Sequence, residues 1–146
     1  MARIDFYQLG RQPVEAVLPR IAEKLLNEGH RLLVVAEKDP VLDLLDRALW
    51  TWRAESFLPH GRAGGEDDAG QPVLLSATVA PVNGAANLAL ADGRWREEAL
   101  GFERTFLLFG ADTLDEARSA WKSLSGSAAE RHFWRQDERG RWSEQG

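Results

Sequence analysis

A chain of 146 residues can build one domain with a real core and is short for two. Its hydrophobic content of 44% and charged content of 28% are ordinary for a globular protein, and the absence of cysteine excludes a disulfide framework or a thiolate metal site. A net charge of −5 argues against coating nucleic acid by bulk electrostatics but leaves room for a local basic patch.

The opening Ile4-Asp5-Phe6-Tyr7-Gln8-Leu9 alternates apolar and polar residues and meets Gly10, the pattern of a first strand. It lacks the apolar run of a signal peptide, and no stretch reaches the length of a membrane span, so the expectation is a cytoplasmic protein without membrane contact. Pro13 to Glu28 reads as a helix with Val17, Leu18, Ile21 and Leu25 on one face. Pro19 either starts that helix or kinks it, and Gly29 suits a left-handed position after its end. Arg31 to Ala36 is a continuous apolar strand of the kind buried on both faces of a parallel sheet. Strand, helix, strand is the start of an open α/β sheet. A phosphate-binding turn would be glycine-rich, whereas Leu9-Gly10-Arg11-Gln12-Pro13 has one glycine and no P-loop lysine, which disfavours nucleotide binding.

Asp39 as N-cap and Pro40 at the first position predict a second helix, with Leu42, Leu45 and Leu49 on one face and an end near Trp50. The following Thr51-Trp52-Arg53-Ala54-Glu55-Ser56-Phe57-Leu58-Pro59 reads as a brief strand or extended loop. Trp50 and Trp52 either plug the core or form a sticky surface. Closely spaced residues at a helix exit leave in different directions, so one of the two is expected to stand exposed, with Phe57 near it. Residues 61–70 are glycine-rich and acidic, a surface loop; Glu66, Asp67 and Asp68 lack the spacing of a calcium loop. Strands follow at Gln71 to Ser76, Asn87 to Leu90 and Arg104 to Phe109. A last helix is expected from Thr113 to about Leu124, capped by Asp112 or Thr113 and ended or interrupted by Ser125-Gly126-Ser127. The tail from Glu130 onward is rich in arginine and aromatic residues and receives no element.

Chemical motifs are sparse. His30, His60 and His132 lack metal-ligand spacing, no Gly-x-Ser-x-Gly elbow surrounds a serine, and His60 in its Pro-His-Gly turn is at least as readily a residue bonded to nearby backbone. No catalytic residue, cofactor or metal is assigned. In the last helix, Arg118 and Lys122 share a face, Leu114 lies one turn before Arg118, and Trp121 three residues after it. Arg131, Arg135, Arg139 and Arg141 add positive charge in the tail. Either this helix presents cations beside apolar surface to a partner, or Leu114, Ala117 and Trp121 face the core and the charges are merely solvated.

Several stretches resemble the chi subunit of bacterial DNA polymerase III holoenzyme. They are the opening Ile4 to Leu9, the Leu49-Trp50 helix end followed by Glu55-Ser56-Phe57-Leu58-Pro59-His60-Gly61, Gln71 to Ser76, Asn83-Gly84-Ala85-Ala86-Asn87, and the tail with Phe133-Trp134 and Trp142. The family pattern Ala-Arg-x-x-aromatic-Lys is similar to Ala117-Arg118-Ser119-Ala120-Trp121-Lys122. The resemblance implies a non-catalytic clamp-loader accessory protein. It implies that the last helix, at Leu114, Arg118, Trp121 and Lys122, takes the acidic, aromatic C-terminal tail of single-stranded-DNA-binding protein. It also implies that Trp50, Trp52 and Phe57 form a surface for the psi subunit or another clamp-loader subunit, and that DNA is met only indirectly. One departure stands out: Leu114 occupies a position that is basic in well-known members, so the site either has one cation fewer or takes an arginine from the tail.

The expected architecture is a single α/β domain over residues 1–146, with a mainly parallel sheet flanked by helices, Rossmann-like without a nucleotide-binding loop. The expected role is an adaptor between a replicative polymerase and single-stranded-DNA-binding protein. The competing class is a small α/β enzyme, a hydrolase or nucleotide-binding protein, which would need converging carboxylates or a phosphate-cradling turn. Direct single-strand binding has the aromatics but lacks overall positive charge.

Overall fold

The computed structural model describes residues 2–52 and 58–145. Its strands are β1 (Arg3–Gln8), β2 (Leu32–Val35), β3 (Gly61–Arg62), β4 (Val73–Ser76), β5 (Asn87–Leu90), β6 (Arg104–Phe109), β7 (Glu130–Gln136) and β8 (Trp142–Gln145). The helices are α1 (Val14–Asn27), α2 (Asp39–Trp50) and α3 (Leu114–Ser123). The strands form one sheet in the order β3-β4-β2-β5-β6-β1-β7-β8. Every neighbouring pair is parallel except β7 and β8, which are antiparallel.

The two faces of the sheet hold two separate cores. On one, Val17, Leu18, Ala22 and Leu25 of α1 and Leu42, Leu45 and Leu49 of α2 pack on Leu32, Val34, Val73, Leu75, Phe106 and Leu108. On the other, Ala117, Ala120 and Leu124 pack with Ile4, Phe6, Leu33, Val35, Leu88, Leu90, Leu107 and Phe109. The central strands β2, β4 and β5 are buried at every position, β2 as an unbroken apolar run and β4 and β5 with one polar residue each, Ser76 and Asn87, at an end.

α1 begins at Val14 with Pro13 as its cap and carries the buried Pro19 in its interior, so Pro19 does not start it. Gly29 has φ 80°, the left-handed geometry expected after the helix end. α2 is offset by one residue from expectation: Lys38 is the N-cap and Asp39 is the first helical residue. The Asp39 carboxylate pairs with Arg62 rather than capping. Residues 61–70 are not wholly loop, since Gly61 and Arg62 pair with Leu74 and Leu75 as β3. Most of the extended segment expected before Pro59 lies outside the described residues. Leu124–Gly126 forms a 3-10 turn that ends α3.

The tail forms two strands. β7 lies beside β1, and β8 folds back as the sheet's edge. A polar network ties this end together. The fully buried Asp5 accepts from Arg3 at 3.1 Å, Arg104 at 2.8 Å and the Trp134 indole at 2.9 Å. Burial alone would raise the Asp5 carboxyl, but these bonds outweigh it and hold it below the usual carboxylate range. His132 bridges β7 and β8, with Nδ1 2.6 Å from Glu144 and Nε2 2.6 Å from Glu130.

Candidate functional site

Two aromatic surfaces emerge from the helices. The first lies where α2 ends. Leu42, Leu45 and Leu49 turn one stripe of α2 into the core, which leaves the last residue, Trp50, pointing elsewhere, 56% exposed. Its ring meets the His60 ring edge-on at 5.0 Å. His60 is itself buried, with Nδ1 2.7 Å from the Leu58 carbonyl and Nε2 2.9 Å from the Asp46 carboxylate. The turn histidine is thus bonded to nearby backbone, and to α2 as well. Trp52 is half-buried and packs against the α1 and α2 core. Of the two tryptophans, Trp50 is the exposed one. Phe57 lies outside the described residues.

The second surface lies between α3 and β7. Ala117 and Ala120 are buried, small enough to bring α3 close to the sheet. Arg118 and Lys122 therefore face outward and are exposed, while Trp121 sits at the boundary, half-buried. The Trp121 ring meets Phe6 at 5.2 Å and Phe133 at 5.6 Å, both edge-on. Arg118, Trp121, Lys122, Phe133 and Gln145 line a depression of about 290 Å³. No ion pair joins Arg118 or Lys122 to a carboxylate among the described residues. The depression thus offers an apolar floor and two uncommitted cations, which suits an anionic group carried next to an apolar one.

Leu114 does not line this depression; it is half-buried against the α3 core. Sequence reasoning brought together Arg118, Trp121 and Lys122 and left out Phe133 and Gln145, which arrive from the tail strands. The signal for Phe133 was the two-residue alternation of Arg131, Phe133 and Arg135 against His132 and Trp134.

Among the described residues no group of His, Asp and Glu is arranged to hold a metal ion. A larger crevice of about 370 Å³ opens near the C-terminal ends of β1, β2, β5 and β6, and its lining includes Glu15, Glu37 and Asp112 as well as Lys38 and Arg94. Asp92 at this crevice is committed to Arg96 through two bonds of 2.9 Å. Among the described residues no helix is long and apolar enough to cross a membrane.

The profile of the family described as DNA polymerase III chi subunit, HolC, matches residues 1–131. A DNA polymerase III subunit chi of Pseudomonas aeruginosa is 35% identical over 86 residues, covering 57% of this chain and 59% of that protein. A DNA polymerase III subunit chi of Escherichia coli (strain K12) is 39% identical over 67 residues, 46% of each chain. The matched segments thus span about half of these curated relatives. With the profile matching nearly the whole chain, the protein belongs to the DNA polymerase III chi subunit family.

Proposed function

We propose that this chain is a non-catalytic accessory subunit of the replicative DNA polymerase III assembly, associated with its clamp loader. In this reading it tethers the assembly to the C-terminal tail of single-stranded-DNA-binding protein and meets DNA only through that partner. The carrying observation is the depression at α3, where Arg118 and Lys122 stand uncommitted beside Trp121 and Phe133. A peptide with aspartates and a terminal phenylalanine carboxylate matches both halves of that surface: its charges meet the cations, and its ring enters the apolar floor. The second surface, around Trp50, supports docking of psi or another clamp-loader subunit. An exposed aromatic anchor there contributes on the order of 2 kcal/mol to an interface.

Titration with a peptide ending in Asp-Ile-Pro-Phe, free at its carboxylate, tests the reading. Affinity on the order of micromolar is expected, because the surface is small and the tail must be ordered on binding. Binding weakens as salt rises. Arg118→Ala costs about 1–3 kcal/mol, and amidating the peptide's terminus weakens binding similarly. Equal affinity for wild type and Arg118→Ala, or no binding at low salt, would remove the peptide reading.

A further inference from the structure

We propose that Arg131 on β7 is a third cation of the acidic-peptide surface, a residue that both fixes the Trp121 wall and contacts the peptide's carboxylates. The inference rests on the peptide reading of the α3 depression and adds a residue from a different element.

The guanidinium carbon of Arg131 lies 4.1 Å from the centre of the Trp121 ring, within cation–π range. Its Nη1 donates to the Trp121 backbone carbonyl at 2.5 Å. That carbonyl belongs to the last turn of α3, where four carbonyls have no partner within the helix and a cation is favoured by the helix dipole. Arg131 therefore grips Trp121 twice, at its ring and at its backbone. Phe133 follows two residues later on the same side of β7 and meets Trp121 from its own position at 5.6 Å. The side of β7 that supplies Phe133 to the depression thus carries Arg131 beside it.

The guanidinium has five N–H donors, and the bond to Trp121 uses one. No ion pair joins Arg131 to a carboxylate among the described residues. It is half-buried and so keeps access to solvent, although it stands behind Trp121 rather than in the lining of the depression itself. Arg3, Arg62, Arg96 and Arg104 are instead paired with Asp5, Asp39, Asp43 or Asp92. In an acidic protein, three cations around one tryptophan, none paired with a carboxylate among the described residues, select an acidic occupant.

A purely structural Arg131 would do no more than cap α3. Two variants and two peptides separate the roles. Arg131→Gln keeps a donor for the carbonyl and removes the charge; Arg131→Lys keeps the charge and removes the planar fork. The probes are the free-carboxylate peptide ending in Asp-Ile-Pro-Phe and the same peptide with its aspartates replaced by asparagine and its C-terminus amidated. Calorimetric titration should show Arg131→Gln binding the acidic peptide about five- to tenfold more weakly, with a shallower salt dependence. Its affinity for the neutral peptide should match that of wild type. Arg131→Lys should recover the salt dependence and only part of the affinity. Equal binding of the acidic peptide by wild type and Arg131→Gln overturns the inference while leaving the Arg118 effect intact. Equal losses for both peptides also overturn it, because they reduce Arg131 to a cap. If wild type binds neither peptide, the peptide reading falls and takes this inference with it.

Discussion

Trp50 closes α2 and Trp121 lies in the last turn of α3, yet the two rings are held in opposite ways. Trp50 stands out from the surface, with the buried His60 ring behind it. Trp121 is enclosed by Phe6, Phe133 and Arg131, with two cations of its own helix alongside. The difference follows from what lies beneath each helix. α2 fills its stripe with leucines, so its last aromatic has no place in the core. α3 fills its stripe with alanines, so its tryptophan reaches down to the rings of β1 and β7. On the proposed function, the projecting Trp50 would enter a pocket on another protein. The walled-in Trp121 would form part of a pocket, and it lines the α3 depression. On that proposal, one chain would carry two complementary kinds of recognition surface.

The comparison can be broken first at Trp121. Trp121→Ala removes a half-buried ring shared by α3, β1 and β7, and is expected to destabilise the fold by about 3 kcal/mol, measured by urea denaturation. It should also abolish measurable binding of the acidic peptide. His60→Ala comes next. It leaves the Leu58 carbonyl and Asp46 without their shared partner and opens a hole behind Trp50, for an expected loss of about 2 kcal/mol in the same measurement. Trp50→Ala should change stability by less than about 1 kcal/mol, because most of its surface already faces solvent. Peptide binding at α3 should be unaltered by it, and a loss there would show that the two surfaces are not independent.

The smallest expected effect is one of pH. Bonds to Glu130 and then Glu144 raise the His132 imidazole above its usual value, against the opposing effects of its partial burial and Arg3. Both ring nitrogens face carboxylate oxygens at 2.6 Å, and only the imidazolium can donate to both. A raised folded-state value contributes stability that is complete below the unfolded value of about 6.5 and is lost as pH rises through the folded value. Because Gln145 of β8 lines the α3 depression, the clasp supports one of its walls. Denaturation midpoints measured across this range should fall with rising pH in wild type and show a flatter course in His132→Gln. Identical pH courses would mean that β8 is held without the clasp.

The sheet was legible wherever a strand is buried on both faces. Leu32–Val35, Asn87–Leu90 and Arg104–Phe109 carry their burial in their own residues. β7 and β8 were not legible, because β7 sets its two adjacent aromatics, Phe133 and Trp134, among charged residues and β8 is an exposed edge, so neither shows an apolar run. β3 is two residues long and is defined only by its pairing with β4. At the site, helical spacing brought Arg118, Trp121 and Lys122 together, since that is a local property. Phe133, Gln145 and Arg131 reach Trp121 by tertiary packing across the tail, which no spacing within α3 encodes. Leu114 shows the converse: its helical phase placed it near Arg118, but the core beneath it took its side chain. The choice between Trp50 and Trp52 likewise depended on where α2 stops against the sheet.

β1 lies between β6 and β7, with both of its neighbours drawn from the far end of the sequence. During synthesis the first strand therefore leaves the ribosome with nothing to pair with. Ile4 and Phe6, both fully buried in the finished protein, stay uncovered until residues 104–109 and then 130–136 have been made. β1 therefore cannot be paired on both sides before residue 136 has been made, and until then the nascent chain presents an apolar strand, a natural client for a ribosome-associated chaperone.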